Sequence, residues 1–378
     1  MHKIREQYFR KVNRVVVKIG SGVLTEKNGL NLSVIHSISR QISELMEAGV
    51  EVILVSSGAL ACGIRKIGLA ARPHEITVRQ AAAAVGQAGL IQEYEIAFAE
   101  HGKQVAQILL TGNGMTHRQR YLNARNTLNK LLSWKVLPII NENDTVSIDE
   151  IKFGDNDNLA AVITLMMDAQ MLISLTDIDG LFSSDPRLDP DSQLIPLVER
   201  IDASILSLAS EIPGTLGLGG MLGKINAARK VTAAGVPMTI ACGNRPAILT
   251  RLFSGEMAGT FFLPGEEKLS SRKRWIGFAL ESEGCVTIDK GAVKALVQGG
   301  KSLLPSGITD VIGHFDVGSA VTVKGDDDKT IATGLINYCA EDVRKIIGAQ
   351  TSRIENRLGY KLYDEVIHRD NLVLTMDP

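Results

Sequence analysis

The sequence predicts an α/β protein with an open, mostly parallel sheet sandwiched by helices, followed by a small β-rich domain. Three observations carry this. Over roughly the first 260 residues, short Val- and Ile-rich runs alternate with amphipathic stretches, as strands alternate with crossover helices. Those runs are apolar on both faces, as a parallel sheet covered on each side requires. Beyond about residue 280 the segments become short and are separated by glycine turns.

The elements follow in order. "RVVVKIG" reads as a buried strand, and Leu32 to Ala48 has helical spacing that stops at Gly49. "VEVILVSSG" is the next strand, followed by an Ala-rich helix around Val78 to Glu100. "KQVAQILL", "KVLPIIN", "AQMLISLTD" and "VPMTIACG" supply further strands, with helices between them. From Pro264, "PGEEKLSSRKRW" is polar and turn-rich and reads as a boundary. We therefore expect a first domain over 1–264, a linker over 265–280 and a second domain over 281–365. The second contains "GCVTIDKGA", "AVTVKGDDDK" and "TIATGLINY" with a helix-like "GAVKALVQGG", and reads as an α+β or barrel-like module.

Composition narrows the class. The 378 residues are 45% hydrophobic and 22% charged, enough for a sizeable core over two or three domains. Lys and Arg number 41 against 42 Asp and Glu, so the net charge of -1 gives no whole-chain attraction to nucleic acid or to an anionic membrane. Cys62, Cys242, Cys285 and Cys339 form no CxxC pair, so neither a zinc site nor a disulfide framework is expected, and reduced thiols suit a cytoplasmic protein. "MHKIREQYFRKVNR" lacks the apolar core of a secretory signal, and no apolar run of about 18 residues suggests a membrane span.

Candidate chemistry gathers where strands end. Lys18 closes an apolar strand and is followed by Gly20 and Gly22, which would let the backbone approach a phosphate. The dinucleotide fingerprint GxGxxG fails there, with Thr25 at its third glycine position. "GTLGLGGMLGKINAARK" resembles a phosphate-binding P-loop, but Leu218 and Ile225 replace required residues. What survives is a glycine loop, Lys224 and a helix start suited to an anion. Ser56 and Ser57 follow a strand without the leading Gly of a hydrolase elbow, so an N-cap is the plain alternative. Thr176 and Asp177 end another strand before an Asp-Pro-rich loop that could line a nucleotide.

The acidic stretch "KFGDNDNLAAVITLMM" opens an apolar helix, and "NENDT", ending near Asp144, precedes it. A calcium loop fails because Leu159 holds the third ligand position. Helix capping by Asp155 to Asn158 is expected, yet capping alone leaves the partner cluster unexplained. Lysines on glycine loops, with carboxylates and amides at strand ends, fit phosphoryl transfer, which needs cations and backbone donors rather than a protein nucleophile.

"VVVKIGSGVL", "VSSGALACG", "AAVGQAGLI", "LNARNTL", "PIINENDTV", "KFGDNDNLAA", "SLTDIDGLFSSDP" and "GLGGMLGK" occur in this order. Together they resemble the glutamate 5-kinases of the amino acid kinase family. The pair "INEND" and "FGDNDNL" is the most specific part, since related aspartate, carbamate and uridylate kinases lack it. The tail resembles the PUA domain appended to many bacterial members.

The resemblance implies the amino acid kinase fold and transfer of the γ-phosphoryl group of ATP to the side-chain carboxylate of L-glutamate. Glutamate 5-phosphate, the first intermediate toward proline, would result. It places Lys18 and Lys224 on the migrating phosphoryl group and has Asp157 orient both. Ser57, Asp144 and Asn156 match the glutamate-binding positions, Asp144 suiting the ammonium and Asn156 the carboxylates. Lys18, Thr176, Asp177, Leu218, Gly219, Gly220, Met221, Leu222, Gly223 and Lys224 match the ATP-binding segments, with Mg²⁺ bridging the phosphates and no metal held by the protein itself. Leu222 and Gly223 depart from the Ser-Thr that relatives often carry before the loop lysine. The resemblance further implies a homo-oligomer, feedback inhibition by proline and a transient contact with glutamate-5-semialdehyde dehydrogenase.

Two other readings stay open: another kinase of the family acting on aspartate or a nucleotide, and an RNA-binding protein acting through the PUA-like tail. Residues 281 to 378 hold 11 Lys and Arg against 15 Asp and Glu, a net charge of -4, so RNA binding is not expected of the tail.

Overall fold

The Val- and Ile-rich runs gather into one eight-stranded sheet. The computed structural model describes residues 2–26, 29–111, 118–146, 156–210, 220–265, 276, 280 and 282–374. These fall into two compact units, the first running to position 265 and the second from position 276 onward.

The first unit begins with α1 (His2–Phe9), β1 (Arg14–Ile19), α2 (Ser21–Leu24), β2 (Thr25–Glu26), β3 (Gly29–Leu30), α3 (Leu32–Glu47) and β4 (Glu51–Val55). It continues with α4 (Ala59–Ile67), α5 (Ile76–Ala99), β5 (Val105–Leu110), α6 (Arg118–Ser133), β6 (Leu137–Glu142), α7 (Asn156–Met166) and β7 (Met171–Thr176). Then come β8 (Leu197–Val198), α8 (Ala203–Ser210), α9 (Met221–Ala233), β9 (Met238–Cys242), α10 (Ile248–Phe253) and β10 (Thr260–Phe262).

Strand order is β5-β6-β4-β1-β7-β9-β10-β8. Neighbours run parallel except β9 and β10, which are antiparallel. That edge escaped the sequence reading because β8 and β10 are too short to show a period. From β1 the chain builds outward through β4 to β5 and β6, then crosses to the other side of β1 with β7. The strand order therefore reverses at the C-terminal ends of β1 and β7, where open α/β sheets bind their ligands.

Val15, Val16 and Val17 are fully buried, so both faces of β1 are covered, each side chain contributing roughly 1.5–3 kcal/mol. On one side α4 and α5 touch backbone to backbone: a Cβ on Gly86 would lie 1.8 Å from the carbonyl oxygen of Ala59. Only glycine permits that approach, and it sets the position of the next residue, Gln87.

The second unit contains β11 (Gly284–Ile288), α11 (Lys290–Val297), β12 (Ile308–Gly313), β13 (Ala320–Gly325), β14 (Thr330–Leu335), α12 (Ala340–Ile346), α13 (Ile354–Leu358) and β15 (Leu372–Leu374). Its sheet has the order β12-β11-β13-β14-β15, with β11 and β13 parallel and the other pairs antiparallel. Val286, Ile288, Val321, Val323 and Ala332 form its core with Val343 and Ile346 of α12. Asp289 caps α11, its carboxylate accepting from the Ala292 N–H at 2.7 Å. β15 lies beyond residue 365, where the sequence reading ended this domain, because three residues after a polar loop carry no alternation to read.

Candidate active site

Asp157 is the second residue of α7, a helix whose side chains are nearly all buried. Only 2% of it is exposed, and an isolated carboxylate there would cost several kcal/mol in lost hydration. Two cations answer it. Lys18 Nζ, at the end of β1, lies 2.7 Å from Asp157 Oδ1, and Lys224 Nζ, from the first turn of α9, lies 3.2 Å from Oδ2. A third group, Ser174 Oγ of β7, donates to Oδ1 at 3.2 Å.

Burial alone would push the Asp157 carboxyl up, but the two ammonium groups outweigh it and hold it down to about 2. It is therefore ionised at neutral pH, and the set of two lysines and one carboxylate keeps one net positive charge. Such a buried, fixed excess of positive charge suits a transferring phosphoryl group.

Asn156, immediately before Asp157, turns its amide nitrogen toward the end of β4. It donates to Ser56 O, to Ser57 Oγ and to Asn141 Oδ1, each at 3.0 Å. Asn141 in turn accepts from the Glu142 N–H and donates to Gln87 Oε1 at 2.6 Å. These partners fix which way the Asn156 amide points. Its Oδ1 is buried and has no partner among the described residues, so the atom left over is an acceptor. Behind Ser57, Ser56 Oγ and the buried Tyr94 hydroxyl share a hydrogen bond of 3.0 Å.

The sequence reading expected capping of α7 by Asp155 to Asn158, of which Asn156 and Asp157 form the first two residues of the helix itself. The side chains of Asn156 and Asp157 reach across to β4, β1, β7 and α9, where burial strengthens their hydrogen bonds and ion pairs. Asp155 lies outside the described residues. Asp144 sits in the turn after β6, apart from the Asn156 hydrogen bonds. Burial raises its carboxyl to about 6, partly offset by the Arg79 guanidinium of α5.

Thr176 ends β7 and donates to Asp177 Oδ1 at 3.0 Å. The Asp177 carboxyl packs on Gly22, where a Cβ would lie 3.1 Å from Asp177 Cγ, so a side chain at 22 would displace it. Gly220 precedes α9, Met221 is buried at its start, Leu222 is 40% exposed, and the space beside Gly223 is open. Leu218 and Gly219 lie outside the described residues.

The fold thus joins Lys18, Asp157 and Lys224 directly, and sets Ser57 and Asn156 beside them through the Asn156–Asp157 step. Asp144 stands in the turn after β6, and the Thr176–Asp177 pair stands at the end of β7, the strand next to β1. Ser174, Asn141 and Gln87 escaped the sequence reading. The available signal was a Ser or Asn interrupting or ending an otherwise apolar strand, which costs free energy unless a partner waits.

Residues 13–242 match the amino acid kinase family, and residues 284–358 match the PUA domain. The chain is 50% identical to the glutamate 5-kinase of Syntrophus aciditrophicus over 374 residues, covering 99% of this chain and 97% of that one. It is 49% identical to the glutamate 5-kinase of Geobacter sulfurreducens over 372 residues, covering 98% and 100%. It is also 49% identical to that of Caldanaerobacter subterraneus subsp. tengcongensis over 362 residues, covering 96% and 97%. With a buried carboxylate clamped between two lysines at the reversal point of a parallel sheet, and with this similarity along nearly its whole length, the chain belongs to the amino acid kinase family, in its glutamate 5-kinase branch.

Proposed function

We propose that this protein transfers the γ-phosphoryl group of ATP to the side-chain carboxylate of L-glutamate, giving ADP and L-glutamate 5-phosphate, the first step of proline biosynthesis. The observation that carries the mechanism is the pair of contacts from Lys18 and Lys224 to opposite oxygens of Asp157. The acceptor carboxylate is already ionised at neutral pH, so no general base is required. What the reaction needs is alignment and charge compensation on the moving phosphoryl group. Lys18 and Lys224 supply the charge, and Asp157 holds their ammonium groups at a fixed separation.

ATP would lie along the ends of β1 and β7 and the start of α9, contacting Thr176, Asp177 and the loop from Leu218 to Lys224. Mg²⁺ would enter with the nucleotide and offset phosphate charge there, since none of the residues assigned above is needed to hold it. Ser57, Asp144 and Asn156 would hold glutamate. Asp144 supplies a negative charge for the ammonium. The family resemblance has Asn156 suit the carboxylates, but we place its Oδ1, which has no partner among the described residues, on the ammonium side, because an acceptor matches an N–H and not a carboxylate.

We assign this chemistry to the domain over 1–264 and a structural or regulatory part to the tail over 281–365. Family membership also supports a homo-oligomer, inhibition by proline, hand-over of the acyl phosphate to glutamate-5-semialdehyde dehydrogenase and a cytoplasmic location. Among the described residues no helix is long and apolar enough to cross a membrane.

Incubation of the protein with MgATP, hydroxylamine and a panel of amino acids tests the acceptor. The expected result is a hydroxamate from glutamate. Reaction with aspartate in its place would overturn the assignment.

A further inference from the structure

β7 reads MLISLT, and every residue of it is buried. A serine in such a run loses its hydration and needs a partner inside the protein. Ser174 has one: its hydroxyl donates to Asp157 Oδ1, and only 1% of the residue is exposed. In the sheet Ser174 is the register partner of Lys18, the residue whose ammonium meets the same oxygen.

We propose that Ser174 is a positioning residue for phosphoryl transfer, locking the rotation of the Asp157 carboxylate so that Lys18 and Lys224 stay aimed at one point. This rests on the phosphoryl-clamp reading above. A carboxylate has about four acceptor directions, and two ammonium groups on opposite oxygens leave its plane free to swing. A neutral hydroxyl on Oδ1 restrains that swing without altering the net charge of the set. An apolar residue at 174 would leave an acceptor direction unmet, and a third cation would draw Asp157 away from its lysines. Because Ser174 is buried within the strand and meets Asp157 directly, it acts through that carboxylate and needs no contact with either substrate.

The test uses the full chain with Ser174→Ala and Ser174→Thr. For Ala, kcat falls five- to tenfold while KM for ATP and for glutamate stays within twofold, since alignment matters in the transition state and not in ground-state binding. Thr keeps the hydroxyl and returns kcat to within threefold of the unaltered chain. Without substrates, mass-spectrometric acetylation rates of Lys18 and Lys224, referenced to exposed Lys301, rise at least threefold in the Ala variant.

Unchanged kcat, a kcat loss matched by rising KM values, a Thr variant no better than Ala, or unchanged labelling would each overturn the proposal. Labelling needs no acceptor, so it judges Ser174 even if glutamate proves to be the wrong substrate. The hydroxylamine assay on the unaltered chain judges the acceptor separately.

Discussion

Two acidic motifs look alike in the sequence: "GDNDN", which runs into the start of α7, and "GDDDK", which runs out of the end of β13. Each supplies an aspartate with a lysine at the same distance, 2.7 Å for Lys18–Asp157 and 2.7 Å for Lys324–Asp328. Their surroundings differ completely. Asp157 is 2% exposed, while the Asp328 side chain is 85% exposed in the turn between β13 and β14, where it adopts a left-handed backbone at φ 61°. Water screens the second pair almost completely, and the pair spans one turn of chain. The first, together with Lys224, joins three elements far apart in sequence, and removing one partner would strand a buried charge. Distance alone therefore says little about an ion pair; burial and the company it keeps decide its worth.

The strongest way to break this comparison is Asp157→Asn. It leaves two buried ammonium groups against a neutral amide, and we expect kcat/KM to fall by about a thousandfold or more, with a stability loss of about 3–5 kcal/mol in urea unfolding. Retention of a tenth of the activity would show that the clamp is not what drives transfer.

Lys18→Met and Lys224→Met come next. Each removes one cation from the phosphoryl site, and kcat should drop roughly a hundred- to a thousandfold, measured at saturating ATP and glutamate. Lys324→Met, at the same distance from its own aspartate, should leave kcat unchanged.

pH separates two carboxylates within the site. Asp157 is held down to about 2, so its stabilising effect is complete above about pH 4 and is lost as pH falls toward 2. Urea midpoints across that range should show an acid limb that Asp157→Asn makes shallower, the remainder belonging to other carboxylates held down by their partners, such as Asp179 beside Arg245. Asp144, raised to about 6, should protonate in the free protein below that pH, so kcat/KM for glutamate should fall about tenfold per pH unit there. Asp144→Asn should be weak at every pH and lose the dependence.

The smallest effect belongs to Asp328→Gly. Glycine accepts the left-handed backbone more readily, while the exposed ion pair disappears, so the melting free energy should change by less than about 1 kcal/mol.

Much of this was legible from residue order. The alternation of apolar runs and amphipathic stretches determined a helix-covered parallel sheet, because period and both-face apolarity are local properties of a strand. Lys18 and Asp157 stood out because a charge at the edge of an apolar run needs a reason, and Lys224 because it follows a glycine loop at a helix start; their roles came from the family resemblance. Short strands such as β10 and β15 did not, since three residues hold no period. The family resemblance already set Asp157 beside both lysines; only the tertiary structure decided that Ser174 joins them, that Asn156 spends its amide nitrogen on Ser56, Ser57 and Asn141, and that "GDDDK" is a solvated turn. Those outcomes depend on which segments the sheet order brings together and how much water remains between them, and neither quantity is carried by neighbouring residues in the chain.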